Sequence, residues 1–457
     1  MLCDEVFEQF AREAPVCVMV RATLENALTP QALDQLFEAT AERQYTRTLL
    51  FSSIVDLMST VVCRIRPSIN AAYKKLAPVL GVTRKAVYDK LDRLEPEIAA
   101  ALVRHSASAL EPVITAMGGA LPSWLPGYRI QIVDGNHLAA TEHRLQELRT
   151  IGAGALPGKA LVVLDPQVML VTEVIPCEDG HAQERSLLER LLTLVQPRDL
   201  WIEDRNFCTT GFVFGVVRRR AFFVVRQHAG NLPWQFVGKR RSCGRIETGR
   251  VFEQTIRVTH EDGEALFLRR VTVVLDRPTR DGDTEIHLLT NLPARDARAR
   301  SIAELYRKRW TIETAFAELE ATLSGEIETL GYPKAALFAF CVALVSYNVL
   351  SVVKAALRPV HGVEAVEEVS GYYLADEIAG THRGMMIAIP EDEWTVFHDL
   401  SPVALGHILR ELAGNVRLSE FRKQPRGPKK PQPKRRIVGQ QNHVSTAKLL
   451  KTRELST

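Results

Sequence analysis

The sequence predicts a mixed α/β fold, in which a mixed sheet is flanked by helices, interrupted by a β-rich insertion and preceded by an all-helical N-terminal domain. Three observations predict it. Residues 1–120 have a helical pattern, residues 128–228 alternate strand-like and helical segments, and residues 229–291 carry short strand-like runs with many basic residues. At about 150 residues per domain, the chain has room for two to four domains.

The central segment predicts the order of elements in the sheet. Apolar residues alternate in "YRIQIVDG" (128–135), which predicts a strand with Ile130, Ile132 and Asp134 on one face. The next segments predict two strands, an amphipathic helix, a strand, a short helix and a last strand, in "KALVVLDPQVMLVTEVIP", "AQERSLLERLLTLV", "DLWIEDRNF", "GFVFGVVRRR" and "AFFVVRQH". Three strands, helix, strand, helix, strand is the order of a ribonuclease-H-like mixed sheet.

A helix-turn-helix is predicted within the N-terminal segment, in "LAPVLGVTRKAVYDKLDRLEP" (76–96). Gly81 supplies the turn, Thr83 caps the second helix, and apolar residues at helical spacing (Val87, Leu91 and Leu94) face the first helix. Arg84, Lys85 and Lys90 then point outward, where such a helix meets DNA. A plain helical hairpin is the alternative.

Charge, cysteines and hydropathy bear on partners and compartment. Residues 421–457 contain eleven Lys and Arg and one acid, Glu454, so we predict a disordered basic tail that favours a polyanion; a solvated tail without a partner is the alternative.

Seven cysteines without a CxxC pair favour reduced thiols in the cytoplasm. Residues 335–353 are uncharged and close to the length that spans a bilayer, but their polar residues favour a buried core helix over a membrane helix.

The stretch "LYRKRWTIETAFAELE" (305–320) predicts a helix with a polar edge beside its apolar face. At 100° per residue, Leu305, Ile312, Phe316, Leu319 and Leu323 form the apolar stripe, and Tyr306, Arg309, Glu313 and Glu320 border it. This edge has the character of a site. The alternative is an ordinary charge pair between Arg309 and Glu313, worth about 0.3–0.5 kcal/mol.

Two aspartates upstream favour the functional interpretation. Asp134 and Asp204 each close an apolar strand and align with its buried isoleucines, where a carboxylate is expensive to desolvate without a cation nearby. With Glu313 they would form a group of three converging carboxylates, which would repel one another unless divalent ions relieved the repulsion. Mg²⁺ or Mn²⁺ suits such oxygen ligands. The alternative for each aspartate is an ordinary cap of a strand or turn.

"VDGNH", "EDRNF" and "YRKRWTIETAFAELE" together resemble the three conserved regions of Asp-Asp-Glu transposases from bacterial insertion sequences, specifically the insertion-sequence-four family. That family has the signature Tyr-x2-Arg-x3-Glu-x6-Lys, which Tyr306, Arg309 and Glu313 match. Two positions depart from the pattern, because Glu320 replaces the usual lysine and Asn206 a usual glycine. The resemblance spans roughly residues 120–358.

The resemblance implies DNA transposition, with Asp134, Asp204 and Glu313 as the catalytic residues that hold two Mg²⁺ ions, for which Mn²⁺ can substitute. It implies binding to transposon ends and target DNA, a homodimer in the synaptic complex, and a bacterial, nucleoid-associated enzyme in the cytoplasm without a membrane partner. Further DNA contacts follow from it: Tyr306 and Arg309 at the backbone, Arg205 at a phosphate and Trp234 as a stacking platform for a base. For Trp234 a place in the core of a small β subdomain is the alternative, and for Arg205 an ordinary surface charge.

With this resemblance the chain divides into a helical DNA-binding domain, the first part of a catalytic domain, the β-rich insertion, the remainder of the catalytic domain, a C-terminal helical region and the basic tail, at residues 1–120, 121–228, 229–291, 292–358, 359–420 and 421–457. Two other functions stay open. One is a catalytically inactive DNA-binding or regulatory derivative of a transposase, and the other is a ribonuclease-H-like nuclease without strand transfer.

Overall fold

A computed structural model describes residues 5–44, 48–142, 145–149, 151–228, 230, 232–279, 282–424 and 443–454. It has a mixed α/β fold that combines a large mixed sheet with many helices. Predictions that involve residues 425–442, the centre of the basic tail, lie outside the described residues.

The described part of the chain before the first strand is helical, as predicted. Its helices are α1 (Glu5–Glu13), α2 (Pro15–Ala27), α3 (Pro30–Thr40), α4 (Phe51–Val62), α5 (Ile69–Leu80), α6 (Arg84–Arg93) and α7 (Pro96–Ala116). Side-chain hydroxyls cap the N-termini of α3, α5 and α6. Thr29, Ser68 and Thr83 each accept a hydrogen bond from the backbone N–H of the residue three positions further on.

The helix pair α5–α6 has the predicted form. Gly81 lies between the helices in the left-handed conformation (φ 61°), which glycine adopts without steric penalty, and Val87, Leu91 and Leu94 are buried. Arg84 and Lys85 are exposed in the first turn of α6. The outward placement of Lys90 is wrong, since its ammonium lies 4.1 Å from the ring centroid of Phe37, where the aliphatic stem is half-buried.

The sheet of the described residues has nine strands. Its first five are β1 (Arg129–His137), β3 (Lys159–Asp165), β4 (Leu170–Cys177), β5 (Asp199–Glu203) and β6 (Phe222–Arg226), with α8 (Leu188–Leu194) and α9 (Thr210–Arg218) between them. Strands β1, β5 and β6 run parallel, and β3 and β4 are antiparallel to their neighbours. The predicted succession of strands and helices is therefore present.

The two faces of this sheet pack against different helices, because alternate residues of a strand point to opposite faces. Ile132 and Ile202 belong to the larger apolar cluster, together with residues of the N-terminal helices and of the segment 302–357. Val133 and Trp201 belong to a second cluster with residues of α8 and α9. The strand faces predicted from the alternation of residues are thus confirmed.

The predicted β-rich insertion extends the same sheet instead of forming a separate one. It contains β7 (Trp234–Ile246), β8 (Gly249–Thr259), β9 (Ala265–Leu275) and β10 (Glu285–Thr290), and β10 pairs with β6. The strand order across the sheet is β4-β3-β1-β5-β6-β10-β9-β8-β7. Strand β7 is therefore an edge of the sheet, and it is exposed over most of its length. Its basic residues Lys239, Arg240 and Arg241 face solvent, as sheet edges often do.

Three helices follow the sheet: α10 (Ala299–Arg307), α11 (Trp310–Thr322) and α12 (Pro333–His361). Helix α12 is long and apolar enough to cross a membrane, but it is almost completely buried among α2, α4, α6, α7 and β4, which agrees with the predicted core helix. Its side chain Asn348 is fully buried and bonds to both backbone groups of Val171, with 2.7 Å from Val171 N to Oδ1 and 2.9 Å from Nδ2 to Val171 O. Because β4 is an edge strand, Asn348 satisfies backbone groups that no further strand can pair.

The predicted C-terminal helical region contains α13 (Val363–Glu367), α14 (Gly371–Ala388) and α15 (Pro402–Gly414). The prediction of a disordered tail over 421–457 is wrong for residues 443–454. There β11 (Val444–Ser445) pairs with β2 (Ala155–Leu156), and α16 (Thr446–Glu454) follows. The physical reason is burial: Ser445 and Thr446 are almost inaccessible, and Lys448 forms an ion pair with Asp179.

We expect Asn348→Ala to lower the free energy of unfolding by about 2–4 kcal/mol, because it leaves the buried N–H and C=O of Val171 without partners. Denaturant titration measures the change. Ser106→Ala is the matched control, since it removes one of the bonds of Asn348 but leaves Val171 paired; it should lower stability by about 1 kcal/mol. Equal losses for both variants would contradict the role of Asn348 at the sheet edge.

Candidate active site

Two of the predicted acids are brought together by the pairing of β1 with β5. The parallel register places Ile132 opposite Ile202. Two residues further along each strand, on the same face, are Asp134 and Asp204, and neighbouring strands lie about 4.8 Å apart. The two aspartates therefore stand side by side where β5 ends.

The third acid, Glu313, lies on the second of two consecutive helices. The prediction of one continuous helix over 305–320 is therefore wrong. Helix α10 ends at Arg307 and α11 begins at Trp310, and the junction is closed by three-residue turns, with Arg309 N bonded to Tyr306 O at 3.0 Å and Ile312 N to Arg309 O at 3.2 Å. The tighter turn changes the direction of the side chains. Arg309 is consequently only 7% exposed, although the helical pattern places it at a border with solvent.

The guanidinium of Arg309 connects the acids. Its Nη1 donates to Oδ2 of Asp134 at 3.0 Å, and its Nη2 donates to Oε1 of Glu313 at 2.6 Å. The pair with Glu313 is the i, i+4 contact of the ordinary interpretation. However, the side chain of Arg309 is 9% exposed and also binds an acid 175 residues away, so this is no surface charge pair.

Burial and charge act in opposite directions on these groups. Burial raises the pKa of Asp134 to about 6, against the lowering effects of Arg309 and of the hydrogen bond from the backbone N–H of Gly135. For Arg309, burial lowers the pKa, but the negative charge of Tyr306 when ionised and of Asp134, Asp204 and Glu313 raises it overall. The guanidinium therefore stays charged and interacts with all three carboxylates.

Asp204 follows β5 directly and begins the short 3-10 helix Arg205–Phe207. Its backbone oxygen accepts from Phe207 N at 3.1 Å, but within the described residues its carboxylate accepts no hydrogen bond. The carboxylate is half-buried and close enough to Arg309 and Tyr306 to influence the pKa of both. Of the three acids, which all lie among the described residues, Asp204 is thus the one that accepts no hydrogen bond from Arg309, since Asp134 and Glu313 each accept one.

The chemistry of this donor set suits a hard divalent ion, because all three side chains offer carboxylate oxygens. In the arrangement described, no three His, Cys, Asp or Glu side chains lie close enough to hold a metal ion. The guanidinium of Arg309 lies between Asp134 and Glu313 and supplies their counter-charge. A divalent ion shared by the three acids therefore requires Arg309 to move away from at least one of them.

The predicted DNA contacts differ in exposure. Tyr306 is 8% exposed and its hydroxyl shares a hydrogen bond with Arg309, and burial raises its pKa to about 12. Tyr306 and Arg309 are thus largely enclosed beside the acids rather than presented to a DNA backbone. Arg84 and Lys85 are exposed on α6, and no contact of theirs reaches the acids within the described residues.

Arg205 and Trp234 line one cavity of about 450 Å³ with residues from β6, β9 and β10. Trp234 is half-buried and packs edge-to-face on Phe236, with ring centroids 4.8 Å apart, while the guanidinium of Arg270 lies 5.2 Å from the Trp234 ring centroid. The ring therefore combines the two predicted situations, since it contacts apolar neighbours and also borders an open polar cavity.

The two departures from the family signature lie apart from Arg309. Glu320 is exposed, and its charge influences the pKa of Glu326 rather than that of Asp134 or Arg309. The side chain of Asn206 donates to Glu184 at 3.2 Å.

Three residues near the acids escaped prediction. Trp310 is 62% exposed beside Arg309, at a position where an aromatic ring is usually buried. Glu326 accepts from the backbone N–H of Ala139 and from Asn136, just beyond Asp134. Glu203, next to Asp204, is fully buried with both oxygens unbonded among the described residues. The strand pattern signals Glu203, since an acid alternating with Trp201 faces the core.

The central part of the chain is similar to a known protein family. Residues 125–349, just under half of the chain, match the family model of the transposase DDE domain, and Asp134, Asp204 and Glu313 lie within the match. The match supports a transposase of the DDE class, whose members generally use divalent metal ions. No curated protein matches the chain.

Solved structures similar to the chain include the piggyBac transposase in a synaptic complex with hairpin DNA, determined by cryo-EM. It is 11% identical over 94% of this chain and 90% of that chain, with a TM-score of 0.36. A likeness at that level carries no weight for the site.

We expect Arg309→Ala to lower the free energy of unfolding by about 3 kcal/mol, because it leaves the carboxylates of Asp134 and Glu313 without their cation. Arg307→Ala is the matched control two residues away, where the partner Glu247 is 80% exposed, and should lower stability by less than about 1 kcal/mol. Denaturant titration in EDTA measures both. A neutral effect of Arg309→Ala would show that the guanidinium does not compensate the acids.

We expect stability to fall with rising pH because of Glu203. Burial raises the pKa of this carboxyl well above 4.5, so the folded state holds a proton that the unfolded state releases. The contribution of Glu203 to the free energy of unfolding is fully present below pH 4.5. It is lost as the pH rises towards the pKa of the folded state, by up to about 1.4 kcal/mol per pH unit. Glu203→Gln removes this titration. Its stability relative to the unmodified protein should increase between pH 5 and pH 7, and a constant difference would contradict the burial of Glu203.

Proposed function

We propose that the chain is a DNA transposase of the insertion-sequence-four type, with Asp134, Asp204 and Glu313 as its catalytic acids. One observation supports this most strongly: the buried guanidinium of Arg309 contacts two acids from distant elements and interacts with the third. The strand order β4-β3-β1-β5-β6, with β1, β5 and β6 parallel, supports a ribonuclease-H-like core.

The acids would hold two Mg²⁺ ions, or Mn²⁺, in the proposed enzyme. When bound, such ions activate the attacking oxygen and stabilise the leaving oxygen of a phosphodiester displacement. Asp134 and Asp204 would supply oxygens from adjacent strands, and Glu313 would supply them from α11. Without the ions, Arg309 balances the negative charge of these carboxylates. Arg309 released from the acids can then bind a phosphate, for which its planar guanidinium is suited.

The proposed reaction has two steps. Water attacks the phosphodiester at the transposon end and frees a 3′-hydroxyl, which then attacks a phosphodiester of target DNA and displaces another 3′-oxygen. Exposed cations at α6 (Arg84 and Lys85), Arg205 beside the acids and the edge strand β7 supply DNA contacts in this proposal. Joining two ends calls for a homodimer, and a bacterial enzyme of this kind works on nucleoid DNA in the cytoplasm.

We expect Asp204→Asn to lower Mg²⁺-dependent strand transfer by about a thousandfold, equivalent to roughly 4 kcal/mol in the barrier, because it removes one charge from the ion-binding set. End-containing oligonucleotides and a target duplex are the substrates. The control Asp262→Asn changes an exposed acid that pairs with Arg218 and should retain activity. Folding should be unchanged in Asp204→Asn, since the Asp204 carboxylate makes no hydrogen bond within the described residues. The control Asp262→Asn keeps an oxygen that can accept from the backbone N–H of Glu264, so it should lose little stability.

The products distinguish the other functions. Hydrolysis that depends on Asp204 without any joined product would indicate a nuclease. Binding of ends without cleavage at any Mg²⁺ or Mn²⁺ concentration would indicate an inactive, DNA-binding derivative. Strand transfer that persists in Asp204→Asn would overturn the assignment of the acids.

A further inference from the structure

A second cavity, of about 1010 Å³, lies beside the acids and none of the predicted contacts uses it. Basic or ionisable side chains dominate its lining, from Lys159, His137, His181, Arg185 and His443, with Glu184 as the acid among them. Three of these residues, His137, His181 and His443, are exposed, so the cavity opens to solvent. The histidines are not close enough to one another to form a metal site among the described residues.

Lys159, at the start of β3, is the residue that favours binding of an anion in this cavity. It is 3% exposed, and its ammonium donates to the backbone oxygen of Ala182 at 2.5 Å. An ammonium has three donors, and the described residues give Lys159 this one hydrogen bond and no ion pair. A buried charge without a counter-charge is unfavourable, whereas a bound anion in the cavity would compensate it.

Two residues that line the cavity follow the predicted acids closely in the chain. His137 lies on β1 three residues beyond Asp134, a separation of about 10 Å along a strand. Asn206, which also lines the cavity, is two residues beyond Asp204. A strand of DNA whose phosphate lies at the acids would therefore reach Lys159 within the next few nucleotides.

The C-terminal segment completes this cavity. His443 precedes β11, which is fixed by its pairing with β2, and the ion pairs of Lys448 with Asp179 and of Arg453 with Glu147 hold α16 against the same region. One wall is therefore supplied by residues that lie almost 300 positions beyond the strands of the other wall.

We propose that this cavity binds a single DNA strand beyond the scissile position, with a backbone phosphate at the ammonium of Lys159. The proposal rests on the proposed transposase function and adds a strand-binding site to it. A polyanion is favoured because cationic and hydrogen-bond-donating groups surround one buried ammonium. A single strand is favoured because a cavity of this volume is the size of a small-ligand site and excludes a duplex.

The test compares Lys159→Met, which keeps the aliphatic stem and removes the charge, with Lys354→Met as the matched control. Lys354 is also largely buried, but its ammonium is paired with Glu318 on α11. The probe is a fluorescent single-stranded oligonucleotide of about 16 nucleotides, bound in EDTA and measured by anisotropy at several salt concentrations. We expect Lys159→Met to weaken binding about tenfold and to reduce the slope of log K against log salt by about 0.7, the loss of one phosphate contact. Lys354→Met should change neither.

A second variant keeps the proposal testable if Lys159→Met does not fold. His181→Gln combined with His443→Gln changes the exposed wall of the cavity and should weaken the oligonucleotide severalfold. Unchanged affinity and salt slope in both variants would overturn the proposal while leaving the transposase function intact. Absence of any DNA binding by the unmodified protein would overturn both. Calorimetric titration with inorganic phosphate distinguishes a free phosphate from a DNA phosphate as the anion bound at Lys159. The proposal is contradicted if Lys159→Met abolishes binding of inorganic phosphate but leaves the salt dependence of oligonucleotide binding unchanged, because the cavity is then a site for a free anion.

Discussion

The buried guanidinium of Arg309 compensates the charge of three carboxylates that two strands and a helix bring together. Without a cation, these acids would repel one another and would lose hydration in a half-buried site. Arg309 binds Asp134 and Glu313 directly. The unfavourable desolvation of its own charge is offset by the attraction of the acids. The short turn between α10 and α11 is what aims the side chain at them. The site thus has its counter-charge built into the same helix segment as one of its acids.

This arrangement links the structure of the site to metal use. In the proposed enzyme, a guanidinium and a divalent ion would have the same electrostatic role beside the carboxylates, so the two would compete for Asp134 and Glu313. In the proposed enzyme, displacement of Arg309 would accompany ion binding and would free a phosphate-binding group next to the reacting DNA.

Rigid surroundings hold the acids in place. Pairing between β1 and β5 sets Asp134 beside Asp204, and the apolar face beneath them packs on the helical segment 302–357. At the outer edge of the sheet, the buried Asn348 of α12 pairs with Val171 of β4 and prevents unsatisfied backbone groups. The opposite edge, β7, is exposed and basic. The sheet is therefore covered by helices at its β4 edge and exposed and basic at its β7 edge.

Local patterns determined much of this protein from the sequence. The alternation of residues fixed the faces of β1 and β5 and hence the common side of Asp134 and Asp204, and Gly81 and Thr83 marked the α5–α6 turn. Only the tertiary structure decided that Arg309 turns inward, that β7 to β10 continue the main sheet, and that residues 443–454 dock beside Lys159. Periods of 2 and 3.6 residues are properties of neighbouring positions. Charge compensation, edge pairing and docking depend instead on segments far apart in the chain, which no local pattern records.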